Sequence, residues 1–302
     1  MRVFVTGASG WIGSTVVDEL LAAGHDVTGL VRSEGSAAAV AAKGARVRRG
    51  DLDDLGGIRA GAEDADAVIH LANKHDWSDP AASNAAERAA VETIGNALTG
   101  TGRPFLLASG VAALAQGRPA SEADASPFHG PGSPRGGSEN LALDFVERGV
   151  HAVSLRFAPT VHGTGDHGFI AVLAEIARRK GVSGYPGDGT NQWAAVHRLD
   201  AGRLVALGLA KAPAGARLHA VAEVGVPTRE IAEAIGRAFD LPVTSIAADD
   251  VQDHFGWIGT FFAMELAATS TATRELLGWA PTGPTLIADL DAGAYSNAPA
   301  RP

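Results

Sequence analysis

The sequence predicts an α/β fold, a doubly wound parallel sheet with a smaller C-terminal lobe, and three observations carry that prediction. An apolar run, Val3 to Val5, leads into a glycine trio at Gly7, Gly10 and Gly13. From there short apolar runs alternate with amphipathic segments as far as residue 163, the pattern of strand, crossover helix and parallel strand. Beyond residue 163 the alternation becomes irregular, and Phe255, Trp257, Phe261, Phe262 and Trp279 concentrate the aromatic content late in the chain.

The first strand and its glycines set the frame. A buried parallel strand ending in Gly-x-x-Gly-x-x-Gly bends sharply at Gly7, lets a diphosphate approach the bare backbone near Ser9 and Gly10, and packs the next helix closely through Gly13. That helix turns its free N–H groups and positive dipole end toward the phosphates. Glycine turns alone are common, so the context matters. Val16, Val17, Leu20 and Leu21 form one face of a helix that stops at Gly24, and residues 27–31 read as a second strand. Strand, turn, helix and strand fit within about 30 residues, as a Rossmann-type dinucleotide unit requires.

The second strand ends at Arg32 and Ser33, about 20 residues past the turn, where an NAD-selective site usually places an acid on the ribose 2'-hydroxyl. A cation and a hydroxyl suit a 2'-phosphate, so NADP is expected over NAD; the alternative is a plain surface arginine. Residues 36–43 read as a short helix and 46–50 as a third strand running into Asp51 and Leu52. Asp51 has the place of a helix cap, since Leu55 and Ile58 follow at helical spacing. Residues 66–72 form a fourth buried strand with His70 as a core residue, 84–98 a helix, and 104–110 a fifth strand ending in Ser109 and Gly110. Strand ends in such sheets face the ligand crevice, which places the Ser109 hydroxyl to meet a reacting oxygen, although a serine before glycine also serves turn chemistry.

Residues 115–137, rich in Gly, Pro, Ser and Ala, read as a long loop over the crevice, and Leu141, Phe145 and Val146 as a helix before Gly149. A sixth strand, 153–157, precedes Pro159, Thr160, Val161 and His162. A helix at 169–180, a short strand at 193–198, a helix capped by Asp200, a strand at 217–222 and a helix opened by Pro227 complete the pattern. The domain expectation is a nucleotide-binding unit of residues 1–163 and 195–222, with residues 164–194 and 223–302 forming a substrate-binding lobe.

Composition narrows the partners. The 302 residues carry a net charge of -9 with no basic run, which argues against a nucleic-acid backbone or an anionic membrane surface. The absence of cysteine excludes disulfides, thiolate metal sites and cysteine nucleophiles. No apolar run approaches membrane-spanning length and the N-terminus is unlike a secretory signal, so a soluble, cytoplasmic protein is expected. A metal site at His162, Asp166 and His167 lacks the spacing for convergent ligands, and none is expected.

These segments resemble the extended short-chain dehydrogenase/reductase superfamily, the group of NAD(P)-dependent epimerases, dehydratases and dihydroflavonol-type reductases. The likeness rests on Thr6 to Gly13, Asp51-Leu52, His70-Leu71-Ala72, Ser109, Arg156 with Pro159 to Gly163, Val196 to Asp200, and Thr273 to Pro281. It implies that Asp51 and Leu52 flank the adenine, that Leu71, Ala72 and Asn73 line the cofactor path, that Trp11 and Ile12 belong to the phosphate turn, and that Pro159, Thr160, Val161 and His162 lie beside the nicotinamide. It also implies a possible homodimer through the helices near 84–98 and 138–148.

The catalytic helix departs from the family. Where the family carries a tyrosine and, four residues on, a lysine, this chain reads Arg135 and Glu139, and no Tyr-x-x-x-Lys occurs anywhere in it. Arginine stays protonated to above about pH 12 and cannot shuttle protons, so Arg135 is left to polarise an oxygen or bind an anion. The plain expectation for Glu139 is an i,i+4 pair with Arg135. The sharper one makes Glu139 a general acid or base, or Arg135 the receptor of a substrate carboxylate. His129, His162 and His167 are alternative proton donors, and His197 is expected at the pocket mouth. Three functions remain open: an NADPH-dependent reductase of a small carbonyl, imine or related substrate, a catalytically inactive NADP(H)-binding regulatory protein, and a non-redox isomerase or lyase reusing the crevice.

Overall fold

The computed structural model describes residues 1–74, 76 and 79–296. The first half runs β1 (Arg2–Thr6), α1 (Trp11–Ala22), β2 (Asp26–Val31), α2 (Glu34–Ala42), β3 (Arg46–Arg49), α3 (Leu55–Glu63), β4 (Ala67–His70), α4 (Pro80–Leu98) and β5 (Pro104–Gly110). After a long loop come α5 (Ser138–Asp144), β6 (His151–Phe157), β7 (Thr160–His162), α6 (Phe169–Lys180), β8 (Ser183–Pro186), β9 (Gln192–His197), α7 (Arg198–Lys211) and β10 (Arg217–Ala220). The chain closes with β11 (Glu223–Pro227), α8 (Thr228–Phe239), β12 (Val243–Ile246), α9 (Val251–Phe255), α10 (Ile258–Phe262), α11 (Thr271–Leu277) and α12 (Leu286–Asp291).

Seven strands form one parallel sheet in the order β10-β6-β5-β4-β1-β2-β3. Strand β1 shows why both faces must be covered. Val3 and Val5 enter a core with Val16 and Leu20 of α1 and Leu204 and Val205 of α7, whereas Phe4 between them joins Ile58, Val91 and Ile94 of α3 and α4. The period of two along the strand sends apolar side chains to both layers. Strand order reverses beside β1, with β2 on one side and β4 on the other, which opens a crevice at the C-terminal strand ends.

A second core, with Ile170, Trp193, Ile231, Phe255, Phe262 and Leu290, joins α6, α8, α9, α10 and α12 around a three-stranded sheet, β11-β9-β7, and a parallel pair, β12-β8. Two carboxylates, buried Asp200 and half-buried Glu223, fasten the end of the chain. Asp200 accepts from the Thr282 and Gly283 N–H groups at 3.0 and 2.7 Å, and Glu223 accepts from Leu286 N–H at 2.8 Å. Among the described residues no helix is long and apolar enough to cross a membrane.

Several local expectations are corrected. Asp54, not Asp51, caps α3 by accepting from Gly57 N–H, while Asp51 accepts from the N–H groups of Asp53 and Asp54. His197, not Asp200, caps α7, because Asp200 is spent on the C-terminal segment. Helix α4 begins at Pro80, with Asp79 accepting from Ala82 N–H. The segment at Arg135 is not helical: Arg135, Gly136 and Gly137 have φ of 54°, 61° and 64°, so α5 starts only at Ser138.

His70 on β4 is fully buried with Nδ1 2.8 Å from Thr6 Oγ1. Burial, helped by the Arg135 charge, lowers its pKa from 6.5 to about 3. A base whose folded-state pKa lies below its unfolded value is protonated first in the unfolded chain. Stability is therefore intact above about pH 6.5 and falls by about 1.4 kcal/mol per unit as pH drops toward 3. Burial lowers His197, His219 and His254 too, which adds slope of the same sign. Urea unfolding at pH 7.5, 6.0 and 5.0 should show this loss, and His70→Gln should flatten it by about one proton's worth.

Candidate functional site

The turn after β1 is built around close backbone contact. A Cβ on Gly13 would lie 2.0 Å from the Gly7 oxygen, and one on Gly7 would lie 2.8 Å from Ala72 N and 2.9 Å from the Leu71 carbonyl carbon. Gly7 also has a φ of +71°, which favours glycine. The turn thus rests directly on the end of β4, with Leu71 and Ala72 half-buried at the contact. Gly10 is the N-cap of α1, yet no side chain bonds the first turn and no acid lies in it. Ser9 and Gly10 are exposed, Trp11 and Ile12 half-buried. Unsatisfied N–H groups at the positive end of a 12-residue helix, under a side-chain-free turn, fit the diphosphate of a dinucleotide.

Trp11 fixes this turn to the strand ends beyond it. Its indole N–H donates to the Val161 oxygen at 2.6 Å, and the Arg198 guanidinium lies 3.8 Å over its ring while donating to the Trp11 oxygen at 3.2 Å. Thr160 is buried, and Pro159 and Val161 are half-buried along this wall. At the other end of the crevice Arg32 is exposed, and Ser33 is the N-cap of α2, accepting from Ser36 N–H at 3.1 Å. Asp51 is exposed and Leu52 buried beside Leu30.

Ser109 meets two other residues at the end of β5. Its hydroxyl donates to Glu139 Oε2 at 2.7 Å, and Glu139 Oε1 accepts from Arg156 Nε at 2.8 Å with Arg156 Nη2 at 2.6 Å. The ion pair is deeply buried, with side chains 5% and 0% exposed. Register places Ser109 directly opposite Arg156 on β5 and β6, and α5 lowers Glu139 onto both. Arg156 is itself held by the Asp124 oxygen at 2.8 Å and by His219 Nε2 at 3.3 Å, whose Nδ1 faces the Thr269 oxygen at 2.8 Å.

The expected Arg135–Glu139 pair does not form. The left-handed backbone from Arg135 to Gly137 takes the two off a common helix face, and Arg135 turns to Glu87 of α4, with Nη2 to Oε1 at 2.5 Å and Nε to Oε2 at 3.2 Å. Asn73 donates to the same carboxylate. Glu87, buried and bonded to both Arg135 and Asn73, was not among the residues expected here from sequence. Its signal was present, since an acid stands on the stripe of α4 whose other members, Ala90, Val91 and Ile94, are core. Arg156, between Leu155 and Phe157 on a buried strand, gave the same kind of signal.

The histidines divide differently from the expectation. His162 is completely enclosed, with Nδ1 2.6 Å from Asp289 Oδ2 and its ring against His197 at 5.5 Å, so it joins β7 to α12 and offers no open face. Asp166 and Tyr295 form a neighbouring contact at 2.8 Å, with burial raising the pKa of both groups. His167 packs edge-on to Trp11 at 5.7 Å. His129 lies 3.3 Å from Asn140 Nδ2 in the loop.

Two stability predictions follow from these contacts. Gly13→Ala forces a methyl into the Gly7 backbone and should lower the unfolding free energy by about 1–3 kcal/mol or more in urea. Arg156→Met leaves the Glu139 carboxylate buried without a cation and should cost about 3–5 kcal/mol, while Arg156→Met combined with Glu139→Leu should recover much of the loss.

Comparison with known proteins agrees with this architecture. Residues 3–221 match the NAD dependent epimerase/dehydratase family. The chain is 44% identical over 296 residues to the uncharacterized protein C2A9.02 of Schizosaccharomyces pombe, covering 98% of this chain and 100% of that one. It is 40% identical over 299 residues to the uncharacterized protein YLL056C of Saccharomyces cerevisiae, again over 98% and 100%. A shorter match, 31% over 188 residues, joins 60% of this chain to 56% of a 4-hydroxy-2-methyl-3-oxo-4-farnesyl-3,4-dihydroquinoline-1-oxide ketoreductase of Stigmatella aurantiaca. In fold the chain is similar to a Thermus thermophilus UDP-glucose 4-epimerase in complex with NAD, with a TM-score of 0.75 and 22% identity over 99% of this chain and 100% of that one. The chain belongs to the NAD dependent epimerase/dehydratase family, the extended short-chain dehydrogenase/reductases that bind NAD(P) in a crevice of this form.

Proposed function

We propose that the protein is an NADPH-dependent oxidoreductase acting on a small carbonyl, imine or related substrate, with Ser109 on the substrate oxygen and Glu139 as the group behind it. The observation that carries this reading is the Ser109 hydroxyl donating to Glu139 at 2.7 Å, at the end of β5 beside the dinucleotide turn. The ketoreductase relative supports a carbonyl substrate. NADP is favoured by Arg32, exposed at the end of β2 and in no ion pair among the described residues, next to the N-terminus of α2. Residues 164–194 and 223–302 serve as the substrate lobe against a nucleotide unit of 1–163 and 195–222.

When bound, NADP(H) would supply or take the hydride, and residues of the chain handle the proton. As hydride leaves an alcohol carbon, the alcohol proton passes to Ser109 Oγ and the Ser109 proton passes to the Glu139 carboxylate, which ends protonated. Reduction is the reverse, with the Glu139 proton returning through Ser109 to the new hydroxyl. Arg156 orients Glu139 throughout by holding its other oxygen. A second reading, a nucleotide-binding regulatory protein without turnover, is favoured by the lack of any Tyr-x-x-x-Lys and by the Glu139–Arg156 pair, which satisfies Glu139 without chemistry.

NADPH oxidation followed over a panel of aldehydes, ketones and imines decides between them. The first reading predicts turnover that falls about 100- to 10,000-fold in Ser109→Ala and Glu139→Gln. NADPH binding with no oxidation across the panel would establish the second reading instead.

A further inference from the structure

Arg135 is a partly exposed cation held by an anchor that is itself hidden. Its Glu87 partner is 1% exposed at the side chain, whereas Arg135 is 37% exposed, so a solute arriving from solvent meets the guanidinium and not the carboxylate. A guanidinium carries five N–H donors in a planar fork. Glu87 takes the edge formed by Nε and Nη2, and Nη1 has no partner among the described residues. The free end-on edge, Nη1 with the outer Nη2 hydrogen, matches a carboxylate in bidentate geometry.

The side chain is also held in place from behind. Its backbone N–H donates to Asn84 Oδ1 at 2.9 Å, its carbonyl accepts from the Ser138 hydroxyl at 2.6 Å, and its φ of 54° keeps a non-glycine residue in the left-handed region. Such a conformation costs on the order of 1–3 kcal/mol unless its surroundings over-determine it. A Cβ on Gly136 would lie 2.7 Å from the Asn84 oxygen, and Arg88 clasps the Gly136 oxygen at 2.7 Å, so the turn is pressed onto α4. Asn73, three residues beyond β4, donates to the same Glu87 carboxylate, and β4 pairs with β5 at His70 and Leu107, two residues before Ser109, so the Arg135–Glu87 pair and Ser109 belong to the ends of neighbouring strands.

We propose that the substrate is a small oxo-acid or hydroxy-acid whose carboxylate binds the free edge of Arg135 while its oxygen meets Ser109. This rests on the oxidoreductase reading above and gives it a substrate class. Glu87 and Asn73 act as positioning residues that aim the guanidinium, and the carboxylate fixes which carbon faces the cofactor.

The test separates charge from shape and does not need turnover. Oxamate and its neutral analogue oxamide are titrated calorimetrically into protein saturated with NADPH. Oxamate should bind about 10- to 100-fold more tightly than oxamide, a preference that needs no variant. Arg135→Met should remove that preference and Arg135→Lys should restore part of it, with melting temperature certifying the fold of each. Absence of oxamate binding, equal binding of the two compounds, or an unchanged preference in folded Arg135→Met overturns the proposal. Failure of the wild-type protein to bind NADPH at all defeats the oxidoreductase reading instead, before either compound is added.

Discussion

The arrangement depends on one contact that admits no side chain, the approach of Gly13 to the Gly7 oxygen. With a hydrogen at position 13, α1 packs against the turn after β1 and aims its uncapped N-terminus into the gap between β1 and β4. The Gly7 contact with Leu71 and Ala72 brings the end of β4 to the same point, and Trp11 ties in β7 and α7 through Val161 and Arg198. The geometric consequence is a helix N-terminus with no side-chain cap and no acid in its first turn, the kind of end that attracts an anion.

Burial of charge organises the rest of the crevice. A carboxylate removed from water needs a cation and hydrogen bonds to compensate, and the chain meets that need twice, with Arg156 for Glu139 and Arg135 for Glu87. The pairs differ in exposure, and their roles differ accordingly. Glu139 and Arg156 are sealed together, so the remaining acceptor capacity of Glu139 points to Ser109. Arg135 lies at the surface of its pair and keeps donors to spare.

The sheet and the turn were legible because their signals are local: apolar runs of strand length, glycines at fixed offsets, and helices with one apolar face. The partners of Glu139 and Arg135 were not. An i,i+4 rule holds only where the helix is continuous, and three left-handed residues interrupt it before Ser138. The true partners come from β6 and α4, 17 and 48 residues distant. The resemblance placed His162 beside the cofactor, but its ring is fully buried and bonded to Asp289 of α12, 127 residues away, a contact no local pattern announces. The caps misplaced onto Asp51 and Asp200 failed for a related reason, because neighbouring acceptors, the Asp54 carboxylate and the His197 ring, were better placed.

The central proposal is that the Gly7–Gly13 turn seats a dinucleotide whose 2'-phosphate would lie at Arg32 and Ser33. Fluorescence titration of the wild-type protein with NADPH and with NADH tests it most directly. The account predicts saturable binding of both, with NADPH about tenfold the tighter. Binding of neither nucleotide, or NADH binding as tightly as NADPH, would contradict it.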